Sequence, residues 1–215
     1  MNLTNKFDSL IFDMDGTLWD AVDTYAEIWN ETYRRMNVDA RVTREMLIDC
    51  MGLTLDRIVE RIAPANLDIE LFAKTLRQVD AELMPRLGGR LYAGVAELIP
   101  ELAKSHKLYM VSNCGPHGLD YFLDYTGLRP YFTATLTNGE TGLCKADNIN
   151  LLRERYLMDT PIYIGDTQGD CDNAHAAGLP MVWASYGFGL CNDAEFKADD
   201  FREVASLFLQ NNQES

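Results

Sequence analysis

Short apolar runs alternate with amphipathic segments along most of the chain. Runs at 8–12, 107–113, 131–137, 161–166 and 181–185 have the length and composition of buried strands. Most of the segments between them place apolar residues three and four positions apart, the spacing of a helix that packs along one face. Because apolar strands that alternate with helices form parallel sheets, this pattern predicts an α/β fold with a sheet that is covered on both faces.

One long stretch breaks this alternation. From about 19 to 86 the pattern is helical throughout, and no convincing strand occurs. Helices are predicted at 21–36, after Thr43, after Thr54, and at 68–84, the last ended by Pro85 and the pair Gly88–Gly89. We therefore predict a core formed by 1–18 and 89–215, with an all-helical insertion at 19–88 after the first strand. The polar segment at 138–142 predicts a hairpin.

Composition narrows the class of protein. The length of 215 residues fits one core and one insertion. The net charge of −14 disfavours binding to nucleic acid or anionic lipid, because such binding depends on Lys and Arg. No apolar run approaches the roughly 20 residues that span a bilayer, and no secretory signal precedes the first strand. The five cysteines are spread singly. We expect a cytoplasmic monomer or homodimer with free thiols and no nucleic-acid or membrane partner.

Polar side chains follow the predicted strands or open the next helix. They are Asp13, Asp15 and Thr17 after the first strand, Ser112 and Asn113 after the second, Lys145 at a helix start, and Asp166 and Asp170 after the fourth. Each of these features alone is most often a turn or a helix cap. Together they predict one rim of the sheet with several carboxylates and a lysine, which would repel or stay unpaired without a cation and an anion between them.

Known chemistry supplies both ions. A site built only from oxygen ligands suits Mg²⁺, and the three scattered histidines give no sign of a zinc cluster. A lysine beside the metal can neutralise phosphoryl oxygens, and the hydroxyl and amide groups of Thr17, Ser112 and Asn113 can complete the cradle. A carboxylate can attack phosphorus, and a second carboxylate nearby can serve as acid and then as base.

The ordered set of motifs resembles the haloacid dehalogenase superfamily. It comprises DMDGTL at 13–18, SN at 112–113, Lys145 and GDTQGD at 165–170. The helical insertion also falls where members with a helical cap carry theirs. The resemblance covers nearly the whole chain and implies a Rossmann-like parallel core with strand order five-four-one-two-three and a helical cap at 19–88.

This resemblance implies a role for each matching residue. Asp13 would attack phosphorus and become an aspartyl-phosphate, while Asp15 would protonate the leaving oxygen and then activate water. Asp13 and Asp166 would bind Mg²⁺ directly, together with the backbone carbonyl of Asp15. Asp170 would act through water or orient these ligands. Ser112 and Lys145 would hold the phosphoryl oxygens.

Branches of the superfamily can be compared residue by residue. True dehalogenases lack an acid two residues after the nucleophile, so Asp15 favours phosphoryl transfer. Sugar-phosphate mutases place a histidine early in the first cap helix, and the stretch 20–30 contains none. The motif at 13–18, the string 165–178 and the later SYGFG at 185–189 look most like the phosphoglycolate phosphatase branch. One departure is Ala146, where that branch often has a proline.

Substrate choice is expected in the helical cap, where the loop around Gly52 should face the metal. Arg57 and Arg61 lie one helical turn apart and could meet a second anionic group, although a solvated helix face also accounts for them. Phosphoglycolate is the substrate that the resemblance suggests, and small sugar phosphates stay open. So do a nucleotidase, a pyrophosphatase, a catalytically silent phosphate-binding regulatory protein, and a non-hydrolytic domain in which the motifs are only turns.

Overall fold

A six-stranded parallel sheet forms the centre of the protein. The structure is a computed structural model that describes residues 3–210, so 1–2 and 211–215 of the predicted core lie outside the described residues. The strands of this sheet are β1 (Ser9–Phe12), β4 (Lys107–Ser112), β5 (Phe132–Thr137), β6 (Pro161–Gly165), β7 (Met181–Ala184) and β8 (Phe196–Ala198). A separate antiparallel ribbon pairs β2 (Trp19–Asp20) with β3 (Arg90–Leu91).

The strand order is β5-β4-β1-β6-β7-β8. The five predicted strands therefore occur in the predicted order. The strand β8 was not predicted, because its three residues lie in a polar stretch without an apolar run. Side chains of the central strand β1 alternate between faces: Leu10 and Phe12 belong to one buried cluster and Ile11 to the other. Each such side chain contributes roughly 1.5–3 kcal/mol when it is fully buried.

Helices cover both faces of the sheet. They are α1 (Val22–Arg35), α2 (Arg44–Ile48), α3 (Leu55–Ile62), α4 (Ile69–Leu87), α5 (Val95–Leu102), α6 (Gly118–Thr126), α7 (Asn138–Thr141), α8 (Lys145–Tyr156), α9 (Gln168–Ala176) and α10 (Phe201–Phe208). Buried residues of α5, α6 and α10 join the cluster of Leu10, and those of α8 and α9 join the cluster of Ile11. Within residues 3–210, no helix combines the length and the apolar character needed to cross a membrane.

The helices α1–α4 follow β2 and precede β3, so the ribbon stands where the helical stretch leaves and rejoins the core. The ribbon corrects the prediction that 19–86 holds no strand, since a two-residue pairing leaves no periodic signal. Pro85 lies inside α4, which continues to Leu87 and ends at Gly88. Buried side chains of α1 and α4 belong to the same cluster as Leu10. The division into a core and a cap at 19–88 stays a prediction.

Local capping explains two further differences from the prediction. The segment predicted as a hairpin is the short helix α7, because Thr137 accepts a hydrogen bond from the N–H of Glu140 while the Glu140 carboxylate accepts one from Thr137. Thr43 caps α2 as expected by accepting from the N–H of Met46. Thr54 precedes α3 as expected, but its side chain makes no capping hydrogen bond.

Candidate active site

The backbone of β1 fixes the first two acids of the site. Asp13 directly follows β1, and its N–H still donates to the carbonyl of Ile164 at 2.8 Å. Met14 is buried in the core, while Asp13 and Asp15 both line one cavity, whose volume is about 600 Å³. The two-residue spacing therefore places both carboxylates on one side, as the sequence predicts.

Two glycines allow the chain to pack directly against Asp166. Gly16 has a φ of +84°, and a Cβ on it would lie 2.1 Å from Asp166 Oδ2. A Cβ on Gly187 would lie 2.3 Å from the Cβ of Asp166. Neither position accepts a larger residue without displacing Asp166, so both glycines of the motifs are required by close approach.

Lys145 is a buried cation held between two carboxylates. Its Nζ lies 3.0 Å from Asp13 Oδ1 and 2.5 Å from Asp170 Oδ1. The three side chains are at most 4% exposed. Burial lowers the pKa of Lys145, but Asp13 and Asp170 outweigh it, so the pKa lies well above its ordinary value. The sequence-predicted convergence of these three residues is thus present.

Asp170 is occupied by structural hydrogen bonds. It forms a capping box with Thr167 at the start of α9, and its Oδ2 accepts from the hydroxyl of Thr167 at 2.8 Å and from its N–H at 3.0 Å. The N–H of Asp166 donates to the same oxygen at 3.2 Å. Burial raises the pKa of Asp170, but the charge of Lys145 and the hydrogen bonds from Lys145 and Thr167 outweigh this effect. The pKa of Asp170 therefore lies below its ordinary value. These hydrogen bonds hold the Asp170 carboxylate in one orientation between α9 and Lys145.

Three buried acids form a group that fits a hard divalent cation. Carboxylate oxygens of Asp13, Asp166 and Asp170 lie within 4.8 Å of one another. Burial raises the pKa of Asp166 well above its usual value, and the charges of Asp170 and Asp13 raise it further. Burial also raises the pKa of Asp13 to about 6, against the effect of Lys145. A cation bound among these carboxylates would relieve their repulsion. Oxygen ligands of this kind are the donor set that Mg²⁺ prefers.

Asp15 is half-buried and held by two donors. Its carboxylate accepts from Trp19 Nε1 at 3.0 Å and from the Tyr25 hydroxyl at 3.1 Å. Burial, together with the charge of Asp13, raises the pKa of Asp15 to about 7. Trp19 and Tyr25 were not predicted as partners of Asp15, because a hydrogen bond from an aromatic side chain leaves no trace in hydrophobic spacing. Asp15 can therefore carry a proton near neutral pH.

Ser112 and Asn113 lie at the end of β4 and line the same cavity. Ser112 Oγ accepts from the N–H of Cys114 at 3.4 Å. Asn113 Nδ2 donates to the carbonyl of Gly52 at 2.8 Å, and its buried Oδ1 has no partner in residues 3–210. A Cβ on Gly52, whose φ is +83°, would lie 3.3 Å from the Thr167 hydroxyl. The loop around Gly52 therefore lines the same cavity, and its facing a metal stays a prediction.

The remaining predicted contacts are not all found at the cavity. Thr17 is buried, and its hydroxyl donates to Asp166 Oδ1 at 3.4 Å, so a role in phosphate binding stays a prediction. Arg57 and Arg61 do not line the cavity, and Arg57 pairs with Glu60 at 2.9 Å. Of the two alternatives left open for these arginines, their exposed positions favour the solvated helix face, and a substrate contact stays a prediction. The orientation of α3 was not readable from spacing alone.

Other residues near the site were missed. Arg77 and Asp80, one turn apart on α4, line the cavity. A second group of potential ligands, Cys171, Cys191 and Asp193, lies within 4.8 Å, which corrects the expectation that the chain has no cysteine cluster. The separation of Cys171 and Cys191 along the chain hid this contact. Thr167 could have been found as the N-cap three residues before Asp170.

The cavity has a volume of about 600 Å³, and two unlike sets of residues border it. One set belongs to the acidic rim, which we define as Asp13, Asp15, Asp166, Asp170 and Lys145. The other set comes from α1–α4 and the loop between α2 and α3. Asp13, Asp15 and Lys145 of the acidic rim face the cavity directly.

Comparisons with known proteins assign the chain to one family. The family model described as haloacid dehalogenase-like hydrolase matches residues 10–184. A phosphoglycolate phosphatase of Synechococcus elongatus is 30% identical over 186 residues, which cover 84% of each chain. The pyrophosphatase PpaX of Listeria monocytogenes is 26% identical over 196 residues, covering 86% of this chain and 88% of that protein.

A solved structure extends the similarity to the fold. The haloacid dehalogenase-like family hydrolase of Streptococcus pneumoniae superposes with a TM-score of 0.82 at 20% identity. The match covers 94% of this chain and 99% of that chain. At this identity the superposition establishes the fold.

Proposed function

The chain belongs to the haloacid dehalogenase-like hydrolases, and we propose that it is a Mg²⁺-dependent phosphomonoesterase that acts through an aspartyl-phosphate on Asp13. The observation that carries this proposal is the buried contact of Lys145 with Asp13 and Asp170, beside Asp166. A cation fixed against a nucleophilic carboxylate and a group of acids suited to a metal is an arrangement for an anionic substrate.

The chemistry divides into two steps. In the first, a carboxylate oxygen of Asp13 attacks phosphorus, the bond to the leaving oxygen breaks, and Asp15 donates its proton to that oxygen. In the second, Asp15 takes a proton from water, the water oxygen attacks the same phosphorus, and Asp13 is released as a carboxylate with inorganic phosphate. The raised pKa of Asp15, about 7, supports this exchange near neutral pH.

One set of residues would hold the metal ion, and another would hold the phosphoryl group. Asp13, Asp166 and the backbone carbonyl of Asp15 would bind Mg²⁺, and Asp170 would orient them. When bound, Mg²⁺ neutralises charge on the phosphoryl oxygens. The residues proposed for those oxygens are Lys145, Ser112, Asn113 and Thr17. One N–H of Asn113 Nδ2 already donates to Gly52, so the second is the group that would reach a phosphoryl oxygen, while Oδ1, unpaired within residues 3–210, can only accept from a donor.

The relatives suggest the substrates to test first. They are named for phosphoglycolate and for pyrophosphate, and both are small anionic phosphate compounds. A nucleotidase and a silent phosphate-binding protein of the same fold are the other outcomes. The intact set of acids and Lys145 supports turnover over silence. Localisation in the cytoplasm and a monomeric or homodimeric state are part of the same proposal.

Phosphate release from acetyl phosphate and p-nitrophenyl phosphate tests the proposal. We expect turnover that requires Mg²⁺, stops with EDTA and falls by about 10⁴-fold or more in Asp13→Asn, since the nucleophile is removed. Beryllofluoride binding without turnover would instead identify the silent protein. If the wild-type chain shows neither binding nor turnover, the motifs are only turns and the proposal is wrong.

A further inference from the structure

The cavity is larger than its named relatives' substrates require. Its volume is about 600 Å³, within the range of roughly 300–1,000 Å³ that buries drug-sized ligands. Even at roughly 30 Å³ for each non-hydrogen atom, the share of one water molecule in the liquid, phosphoglycolate fills less than half of that volume. Space beyond the phosphoryl group is therefore available for the rest of a substrate.

Apolar side chains of α1–α4 and the loop between α2 and α3 form an apolar wall of the same cavity. We define the apolar wall as Ile28, Trp29, Leu47, Met51, Ile58 and Leu76. The ring of Trp29 is fixed, because it packs at 4.8 Å between centroids against Phe72 and is only 4% exposed. A charged group against this wall would lose its hydration without gaining a partner, which is costly.

Positive charge is scarce around the same space. Lys145 already pairs with Asp13 and Asp170. Apart from Lys145, the basic residues among the described residues that line the cavity are Arg77 and His117, and both are exposed. Two further lining residues, Asp56 and Asp80, are acidic. A second anion on the substrate would find few partners, whereas a neutral apolar group would gain from burial.

From this geometry we infer that the preferred substrate is a phosphomonoester whose leaving alcohol carries an uncharged apolar group of about the size of an aromatic ring. The phosphoryl group lies at the acidic rim and the ring packs against the apolar wall. The inference rests on the proposed phosphatase function of the same site and differs from it in excluding a compact anionic leaving group.

Three esters with Mg²⁺ test the inference: 2-phenylethyl phosphate, ethyl phosphate and phosphoglycolate. The two neutral alcohols leave with similar ease, so the difference between their esters reports contact with the ring. We expect kcat/KM for 2-phenylethyl phosphate to exceed both others by about tenfold or more. A value for phosphoglycolate or ethyl phosphate equal to or above that of 2-phenylethyl phosphate overturns the inference while the phosphatase function stands. No phosphate release from any ester or from acetyl phosphate overturns the function itself.

A matched pair of variants locates the contact. Ile58 lines the cavity, whereas Ile62, one turn further along α3, packs into the core and does not line it. We expect Ile58→Ala to lower the ratio of kcat/KM for 2-phenylethyl phosphate over ethyl phosphate by about threefold or more, and Ile62→Ala to preserve it. Because each ratio is measured on one preparation, loss of folded protein cancels. An unchanged ratio in Ile58→Ala, or an equal change in both variants, overturns the placement of the ring.

Discussion

The acidic rim and the apolar wall face the same cavity but are built by different means. Ion pairs, backbone donors and a capping box fix the rim, which follows the ends of strands in the centre of the sheet. The wall consists of apolar side chains from the helical insertion and a loop. In the proposed function this difference would separate two tasks: the rim would set which bond is broken, and the wall would set which molecule carries that bond. Changes at the rim should therefore affect all substrates, and changes at the wall only some.

The largest effect short of removing the nucleophile is expected at Asp15. Asp15→Asn keeps the donors of Trp19 and Tyr25 in reach but cannot exchange a proton. We expect kcat to fall by about 10³-fold for every ester, because general acid–base catalysis contributes 10²–10⁴-fold. Binding of Mg²⁺, measured by calorimetry, should be largely retained. A fully active variant would remove Asp15 from the proton-transfer role.

Lys145 tests whether the rim acts as one unit. In Lys145→Met the buried carboxylates of Asp13 and Asp170 lose their cation. We expect kcat/KM to fall by about 10²-fold or more for all esters and the free energy of unfolding to drop by about 3 kcal/mol. The matched control is Lys104→Met, because Lys104 pairs with Glu101 at the surface.

Denaturant curves and kinetics on both lysine variants provide the measurement. Lys104→Met should change the free energy of unfolding by no more than about 1 kcal/mol and leave kcat/KM intact. If the Lys145 variant discriminates between esters instead of slowing them all, the division of tasks between rim and wall is wrong.

Gly52 lies in the loop between α2 and α3 and contacts residues next to the acidic rim. Its carbonyl accepts a hydrogen bond from Asn113, and its Cα packs beside Thr167. Gly52→Ala places a Cβ 3.3 Å from Thr167 in a backbone with φ of +83°. Gly127, with φ of +71° and no atom near its Cβ position, is the matched control. We expect both variants to lose about 1 kcal/mol of stability, but only Gly52→Ala to lower kcat/KM, by about threefold to tenfold. Equal kinetics in the two variants would show that the loop plays no part in the site.

The smallest effect concerns Asp80, which lines the cavity but is not part of the acidic rim. Burial raises its pKa from an ordinary 3.8 to about 6, with His117 opposing the rise. The folded state therefore binds the proton more tightly, so stability falls as pH rises from about 4 to about 6, and the cost is complete above that range. We expect Asp80→Asn to raise the free energy of unfolding by about 1 kcal/mol at pH 8 and to leave it unchanged at pH 4. Denaturant curves at the two pH values decide this, and a loss of stability at pH 8 would contradict it.

Sequence patterns predicted the rim better than the wall for a physical reason. Asp13, Lys145 and Asp166 stand at element boundaries, and parallel strands bring their carboxyl ends to one edge whatever the details of packing. The wall depends on how each helix turns about its axis, which spacing along one helix does not fix. The spacing of Arg57 and Arg61 therefore left a contact at the cavity open, whereas the structure places Ile58, and not Arg57, along it.

Short elements were missed for a related reason. The strand β8 and the helix α7 are too brief to show a period. Pairing with β7 stabilises β8, and the capping box of Thr137 and Glu140 stabilises α7. The contact of Cys171 with Asp193, at 3.7 Å, likewise joins two segments that only the folded chain brings together. Prediction from the sequence thus ends where tertiary packing begins to decide conformation.

The hydrogen bond from the amide of Asp13 to Ile164 ties the attacking residue to the innermost strand pair. We expect this amide to exchange with deuterium mainly through global opening, because it bonds to the central pair of strands. The backbone of Asp13 should then keep its place until global unfolding. Catalytic inactivation in urea should share its midpoint with the loss of circular dichroism, so that no inactive yet folded species accumulates.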